Sequence, residues 1–171
     1  MFKNRVAPMH ALLREKFPTM QLSTDVICGF PGETEEEFDE TCEFVEKVGL
    51  NKIHVFPYSR RPGTPAATHP DQVPEEEKHK RFDELVEVIN ESALKRNLAM
   101  VGKTLDVLVD GQSEINGRKA AGMYTGRTDG FKLVNFAADD SYIGKMIKVR
   151  ITGANTFSLK GEIAEQKSRT T

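Results

Sequence analysis

The ten residues Asp25-Val-Ile-Cys-Gly-Phe-Pro-Gly-Glu-Thr34 change from the pattern of a strand to that of a glycine turn and then to a helix start. The run from Met20 to Ile27 is apolar and β-branched enough to predict a strand buried on both faces. Thr34 and Glu37 have the spacing of a capping box at a helix N-terminus. Ligands of α/β folds bind where strands end and helices begin, so this turn is a candidate wall of a binding site. From spacing alone, the two glycines equally fit a tight turn without a ligand.

The segments around this turn extend it into one β-α-β unit. Residues Glu35–Val48 have helical periodicity and an acidic first turn, and Lys52–Pro57 predicts a second, parallel strand. Pro8–Phe17 predicts a short helix whose apolar face packs on a sheet. A long helix is predicted from Pro74 to about Val101, and its charged side chains are expected to form a solvated face. The amino-terminal part therefore has the pattern of an α/β domain.

Composition favours a cytoplasmic protein with an uneven distribution of charge. Hydrophobic residues make up 38% of the chain and charged residues 29%, and no apolar run approaches the length of a membrane span, so no membrane partner is expected. Cys28 and Cys42 are most simply buried thiols of a reducing compartment. Residues 1–102 carry 13 Lys and Arg against 18 Asp and Glu, a net of −5, whereas residues 103–171 carry 11 against 8, a net of +3. A polyanionic partner would therefore favour the carboxyl-terminal part.

A second candidate segment is the proline-rich loop Tyr58-Ser-Arg-Arg-Pro-Gly-Thr-Pro-Ala-Ala67, which follows the second predicted strand. Loops at the carboxyl ends of strands carry function in α/β folds, because a rigid sheet orients them. Arg60 and Arg61 can hold a carboxylate or a phosphate through paired hydrogen bonds, and Tyr58 can stack on a base. The alternative is a surface loop whose arginines are simply solvated.

From Lys103 onward the pattern changes to short strands separated by turn signals. Five strands are predicted, over Thr104–Val109, Met123–Thr128, Lys132–Phe136, Met146–Ile151 and Leu159–Ala164. Asp129-Gly130 is expected to join two of them as a tight hairpin. Five short strands over about seventy residues predict a small closed or nearly closed barrel.

The predicted hairpin combines cations, an amide and aromatic rings. Arg127, Lys132 and Asn135 are expected to be exposed there, beside Phe131 and Phe136. Such a mixture suits the phosphates and bases of RNA. The alternative is that the phenylalanines belong to the barrel core and the cations are ordinary surface residues.

Three motifs, in this order, resemble the carboxyl half of the radical-SAM tRNA methylthiotransferases. They are the segment 25–34, the segment Phe56-Pro-Tyr-Ser-Arg-Arg-Pro-Gly-Thr-Pro-Ala-Ala67, and Gly126-Arg-Thr-Asp-Gly-Phe-Lys-Leu-Val-Asn-Phe136. The resemblance covers nearly the whole chain. It implies a partial TIM-barrel remnant of βα units over residues 1–102, followed by a TRAM RNA-binding domain, a small OB-like all-β barrel, over residues 103–171.

In that family the first two motifs line the S-adenosylmethionine side of the barrel mouth, and the TRAM domain holds tRNA. The resemblance therefore implies that cofactor or substrate lies near Gly29, Glu33, Tyr58, Ser59, Arg61 and Thr64. It implies, together with the composition of the hairpin, that the tRNA anticodon stem-loop is contacted by Arg127, Phe131, Lys132 and Asn135.

The implied reaction adds a 2-methylthio group to an N6-modified adenosine next to the anticodon. The segments Gly126-Arg-Thr128, Val134-Asn-Phe136 and Ser158-Leu-Lys-Gly-Glu162 look most like the branch that acts on isopentenyl-adenosine. His54-Val-Phe-Pro-Tyr-Ser59 is closer to the threonylcarbamoyl-adenosine branch. The ribosomal-protein branch fits less well.

The chain departs from the family in its cysteines. The family's three-cysteine C-x-x-x-C-x-x-C loop, which ligates a [4Fe-4S] cluster, and the amino-terminal domain with the second cluster have no counterpart here, since only Cys28 and Cys42 are present. We therefore expect no metal ligands and no catalytic residue in this chain, which would be inactive without the amino-terminal cluster-binding part. The remaining sheet is expected to have an unpaired edge and an exposed apolar face. The alternative is a non-catalytic, stand-alone tRNA-binding or RNA-binding module.

Overall fold

The structure of the protein is a computed structural model, which describes residues 3–17, 22–49, 52–115 and 117–164. The chain divides into two compact units, residues 1–92 and 93–171. The division falls inside the long third helix, whereas the boundary predicted from sequence, 102/103, follows that helix. None of the helices in the described segments is both long and apolar enough to cross a bilayer.

The first unit is built on a two-stranded parallel sheet. In chain order its elements are α1 (Lys3–Lys16), β1 (Ser23–Cys28), α2 (Glu35–Val48), β2 (Lys52–Pro57) and α3 (Glu75–Leu98), the last of which continues into the second unit. Val26 of β1 lies opposite Val55 of β2 in parallel register. The predicted β-α-β unit is therefore confirmed. The first residues of the predicted strand, 20 and 21, lie outside the described segments.

Helix α2 begins and ends where its capping residues predict. The Thr34 hydroxyl accepts a hydrogen bond from the Glu37 amide at 3.2 Å, and the Glu37 carboxylate accepts one from the Thr34 amide at 3.2 Å. Gly49 ends the helix in the left-handed region, with φ 62°, and its amide donates to the Val45 carbonyl. These local bonds satisfy polar groups at both helix ends, which is why the predicted bounds are correct.

Only one face of the two-stranded sheet is covered. Val26 and Cys28 pack with side chains of α2 and α3, whereas Ile27 and Phe56, which face each other on the opposite side, are half exposed. The prediction that β1 is buried on both faces is wrong, because among the described elements the helices cover one side only.

The apolar face of α1 is also uncovered. Met9, Leu12 and Phe17 are each more than half exposed, so the prediction that this face packs on a sheet is wrong. Their spacing is that of an amphipathic helix, and α1 contacts α2, but these three side chains remain mainly in solvent. The first unit therefore exposes apolar surface on α1 as well as on its sheet.

The second unit is a closed five-stranded barrel. Its strands are β3 (Thr104–Ile115), β4 (Arg118–Thr128), β5 (Leu133–Ala137), β6 (Met146–Ala154) and β7 (Ser158–Ile163), in the order β3-β4-β5-β7-β6. Strands β5 and β7 are parallel, and the other neighbours are antiparallel. The predicted five strands and closed barrel are confirmed, although β3 and β4 extend further than their apolar alternation indicates. The core is mainly aliphatic, with two buried aromatic residues, Tyr124 and Phe136; its fully buried aliphatic members are Val107, Val109, Val134, Val149, Ile151 and Leu159.

Two glycines allow neighbouring barrel strands to approach closely. A Cβ atom on Gly126 of β4 would overlap the Leu108 carbonyl of β3, and one on Gly161 of β7 would overlap the Val149 side chain of β6. Gly153 of β6 differs, because the nearest atom to its added Cβ is Lys160 Cβ at 3.8 Å, an ordinary contact.

Gly126→Ala is therefore expected to destabilise the barrel by roughly 1–3 kcal/mol, because the added methyl group overlaps the backbone of the next strand. Gly153→Ala is the matched control and should change stability by about 0.5 kcal/mol or less. Hydrogen exchange of strands β3 to β7, measured in the whole chain, reports both effects. Equal protection in the two variants would contradict the close approach of β3 and β4.

Candidate functional site

The turn between β1 and α2 is held by hydrogen bonds from its own residues. Gly29 and Gly32 have φ of 70° and 83°, in the region that favours glycine. The Gly29 amide donates to the Glu33 carboxylate at 2.7 Å. A Cβ atom on Gly29 would also overlap the side chain of Lys78. Glycine is therefore required at position 29 for both conformation and space.

A buried arginine joins this turn to α3. Arg81, which is 7% exposed, donates from Nη1 to the Glu33 carboxylate at 2.8 Å and to the Glu33 carbonyl at 3.0 Å. Its Nε donates to Glu77 Oε1 at 3.1 Å. Burial alone lowers the pKa of Arg81, but the hydrogen bonds to Glu33 and Glu77 outweigh burial and raise it. The Glu33 carboxylate thus binds the turn amide and the helix guanidinium together.

Lys78 and Tyr58 complete the cluster. Lys78 is 2% exposed, its Nζ pairs with Glu75 at 2.7 Å, and the same atom lies 5.3 Å from the centre of the Tyr58 ring. The Tyr58 amide donates to the Cys28 carbonyl at 2.8 Å, and its ring packs edge-on against Phe30. The Tyr58 hydroxyl is buried and has no hydrogen-bond partner among the described residues. Such an atom marks a position where a ligand can supply the missing bond.

We call Gly29, Glu33, Tyr58, Lys78 and Arg81 the turn cluster. The expectation that the charged residues of α3 are solvated is wrong for Lys78 and Arg81, because the turn and Tyr58 cover them. A signal in the sequence could have identified these two residues. They precede the buried Leu85 at spacings of seven and four, which places all three on one helix face.

The remaining predicted site residues of the first unit lie on the loop after β2. Ser59, Arg61 and Thr64 are exposed. The Thr64 hydroxyl donates to the Arg61 carbonyl at 2.8 Å and caps the short 3-10 helix Pro65–Thr68. The start of this loop contacts β1 through Tyr58, so the structure brings Gly29, Glu33 and Tyr58 together and leaves Ser59, Arg61 and Thr64 on the adjoining loop.

The cysteines do not fit an iron–sulfur cluster. Burial, the largest cause, raises the pKa of both thiols, for Cys42 to about 11, whereas cluster ligands are thiolates. Cys28 Sγ lies 3.7 Å from the Phe56 carbonyl, as expected of a protonated thiol. Within the described segments, no three His, Cys, Asp or Glu residues are grouped so as to hold a metal ion.

The hairpin between β4 and β5 contains the predicted RNA-binding residues. Arg127 and Phe131 are exposed as expected, and Arg127 Nε lies 3.3 Å from Asp110. The expectation of exposure is wrong for Lys132, which is 9% exposed, because it continues the inward alternation of Val134 and Phe136 along β5. Burial, and then the charge of Arg96, lower the pKa of Lys132.

The same alternation along β5 decides the burial of Phe136 and Asn135. Phe136 is fully buried in the barrel core, as the alternative interpretation predicts, whereas Phe131 is not. Asn135 is half-buried, and its Oδ1 accepts a hydrogen bond from the Ser113 hydroxyl at 3.1 Å. The hairpin therefore presents Arg127 and Phe131 to solvent, while Lys132 and Asn135 are largely enclosed.

Comparison with known proteins gives a family match for most of the second unit. Residues 98–164 match the TRAM domain family. Over 153 residues, 90% of its length, the chain is 48% identical to the tRNA-2-methylthio-N(6)-dimethylallyladenosine synthase of Acetivibrio thermocellus, of which this covers 31%. Proteins of the same name from Clostridium botulinum (50% over 150 residues; 88% of the chain, 32% of the relative) and Clostridium novyi (46% over 151 residues; 88% and 32%) are similar in the same way.

These similarities confirm the resemblance given by the three motifs. The matched stretch includes most of both units, and its extent exceeds that of the TRAM domain alone. The chain spans about a third of the length of the curated relatives it matches.

Glu33→Gln is expected to lower the free energy of unfolding of the first unit by roughly 2–4 kcal/mol, because the buried Arg81 charge loses one of its two carboxylate partners and keeps only Glu77. Glu43→Gln makes the same change at an exposed position of α2 and should cost about 0.5 kcal/mol or less. Urea denaturation followed by the helical circular dichroism signal measures both variants. Adding Arg81→Gln to Glu33→Gln should cost less than the two single losses together; strict additivity would show that the two side chains are not coupled.

Proposed function

We propose that this chain is part of an enzyme that adds a 2-methylthio group to N6-dimethylallyladenosine in tRNA. The observation that carries the proposal is the similarity of nearly the whole chain, at about half identity, to synthases of that name. It favours the isopentenyl-adenosine branch over the threonylcarbamoyl-adenosine branch. The chemistry of the whole enzyme rests on the part of the relatives that this chain does not span.

In this proposal the first unit is part of a larger, partial TIM barrel. Its sheet has one covered face, and the other face exposes Asp25, Ile27, His54 and Phe56. Further strands beside β1 or β2 would pair the free edges, and closure would place these four side chains in the barrel interior. The turn cluster would then lie at the carboxyl ends of the strands, where such barrels bind their ligands.

The residues beside the turn fit S-adenosylmethionine. That cofactor carries an amino-acid carboxylate, a ribose and an adenine ring, and when bound it supplies the radical and the methyl group. The Tyr58 hydroxyl lacks a partner among the described residues and can bond to a polar group of the ligand. The exposed guanidinium of Arg61 suits a carboxylate. Glu33 already binds Gly29 and Arg81, so its role here is to hold the turn rather than to contact the cofactor.

The residues of this chain do not fit a [4Fe-4S] cluster, because burial raises the pKa of its two thiols and cluster ligands are thiolates. We assign both clusters to the amino-terminal part of the enzyme, which is then the protein partner of this chain. The absence of cluster binding by this chain alone stays a prediction.

The barrel of the second unit is proposed to bind the anticodon stem-loop in the cytoplasm. A TRAM domain, a net positive charge over residues 103–171 and an exposed aromatic ring at the hairpin support this role. Arg127 and Phe131 are accessible to phosphates and bases. Lys132 and Asn135 stay proposed contacts, although a bound RNA would have to reach them at the base of the hairpin.

Expression of the full reading frame that contains this chain, in cells that lack the modification, tests the proposed reaction. Mass spectrometry of tRNA nucleosides should show 2-methylthio-N6-dimethylallyladenosine. Arg61→Ala should lower its amount while the melting temperature stays nearly unchanged, because an exposed charge contributes little to folding. Lys47→Ala removes an exposed cation from α2 and should leave the product unchanged.

If the tRNA stays unmodified although the chain binds RNA, the result would favour the alternative of a stand-alone RNA-binding module. A 2-methylthio group on threonylcarbamoyl-adenosine would favour the other branch. A large stability loss with unaltered product would mean that Arg61 is structural.

Arg127→Gln tests the phosphate contact of the barrel. Because neutralised phosphates release counterions, the slope of log K against log salt should become shallower by up to about one when a contacting cation is removed. Arg150→Gln, on β6, removes a cation that is equally exposed and also paired with a carboxylate, and should keep the parent slope. Fluorescence anisotropy with an anticodon stem-loop measures the slopes. Equal slopes in parent and Arg127→Gln would exclude Arg127 from the phosphate contacts.

A further inference from the structure

Two phenylalanines of the barrel project into solvent. Phe131 is 76% exposed and Phe157 is 79% exposed, more than any other large apolar side chain in the described segments. Neither ring belongs to the barrel core, which is formed by aliphatic residues together with Tyr124 and Phe136. A ring left this far in water contributes little to folding and is available to a partner outside the barrel.

The strand register places both rings at one end of the barrel. Phe131 lies two residues before Leu133, the first residue of β5, and Phe157 lies one residue before Ser158, the first residue of β7. β5 and β7 are parallel neighbours, with Leu133 opposite Ser158. Adjacent strands lie about 4.8 Å apart. The two residues therefore lie just before the starts of neighbouring strands, at the same end of the barrel.

Both rings are carried by loops that hydrogen bonds hold in place. The Phe131 amide donates to the Thr128 carbonyl at 2.9 Å. The Asn155 side chain accepts from the amides of Phe157 and Ser158 at 2.9 Å and 2.7 Å. Asn97 is fully buried and donates to the carbonyls of Asn155 and its neighbour, which anchors the second loop from below. The rings are thus presented on ordered loops, which lowers the entropy lost on binding.

The backbone at Phe131 is strained. Its φ of 56° lies in the left-handed region, and no other residue of the described segments except glycine has such a φ. A bulky side chain is unfavourable there, and Asn or Gly would relieve the strain. Strain of this kind at an exposed position points to a function for the side chain rather than to a need of the fold.

An exposed cation lies at the same end of the barrel. Arg127 is paired with Leu133, the first residue of β5, and its side chain is 51% exposed. A cation beside aromatic rings matches the alternation of phosphates and bases along a single RNA strand.

We infer that Phe131 and Phe157 form a two-ring platform on which two adjacent unpaired RNA bases stack, beside the exposed cation of Arg127. This inference rests on the proposed RNA-binding function of the barrel and deepens it. It assigns the unpaired nucleotides of a loop, rather than a paired stem, to this end of the barrel. Phe157 has no place in the motifs that gave the resemblance.

The test measures binding of the whole chain to two RNAs by fluorescence anisotropy at several salt concentrations. One is a stem-loop with an unpaired loop, and the other is a fully paired duplex with the same number of phosphates. Phe131→Asn removes one ring and also relieves the strained backbone, so weaker binding cannot come from misfolding. Phe157→Ser removes the other ring. Met146→Ala is the control, since Met146 is exposed at the start of β6, at the opposite end of the barrel.

Each phenylalanine variant should weaken stem-loop binding roughly 5- to 100-fold, with an unchanged salt slope, because a stacked base carries no charge. Duplex binding, and binding by Met146→Ala, should not change. If both phenylalanine variants bind the stem-loop as tightly as the wild-type chain does, the platform is overturned and the RNA-binding function still stands. Failure of the wild-type chain to bind either RNA would overturn the RNA-binding function and the platform with it.

Discussion

The first unit depends on one carboxylate. Glu33 accepts hydrogen bonds from the Gly29 amide and from Arg81, so it ties the end of β1 to a helix that lies far along the chain. A guanidinium as enclosed as that of Arg81 is tolerated only when its charge is matched and its donors are bonded. The same bonds fix where the turn lies beside Tyr58. The shape of the candidate cofactor wall is therefore a consequence of this ion pair and of a glycine that leaves room for Lys78.

The second unit is stabilised in a different way. Closure of five short strands removes free sheet edges, and the aliphatic core needs few long-range polar contacts. Because the core is complete without them, the loops at one end can carry exposed rings and cations. Stability in the barrel is thus separate from the surface that would bind RNA, whereas in the turn cluster the same side chains hold the fold and shape the site.

Local patterns account for what the sequence predicts correctly. The capping box at Thr34, the glycine at position 49 and the alternation of the barrel strands depend on residues near one another in the chain. Spacing places Arg81 on the face of Leu85 and Lys132 on the face of Val134, but charged side chains are usually exposed. The burial of Arg81 becomes evident only with its partner Glu33, which lies far away in the sequence. Burial of β1 on both faces would need further strands that close the sheet into a barrel, and the described segments do not contain them. Phe157 escaped notice because a single aromatic residue in a turn has no period.

The contrast between Phe131 and Phe136 shows how one hairpin serves two purposes. Successive residues along β5 point alternately inward and outward, so Phe136 fills the core while Asn135 does not. Phe131 lies before the strand begins, where the chain is turning and the alternation no longer applies. Its left-handed backbone directs the ring away from the core at a cost that the fold itself does not recover. A contact outside the barrel is the simplest source of the compensating free energy, and a flat base is the surface that such a ring fits best.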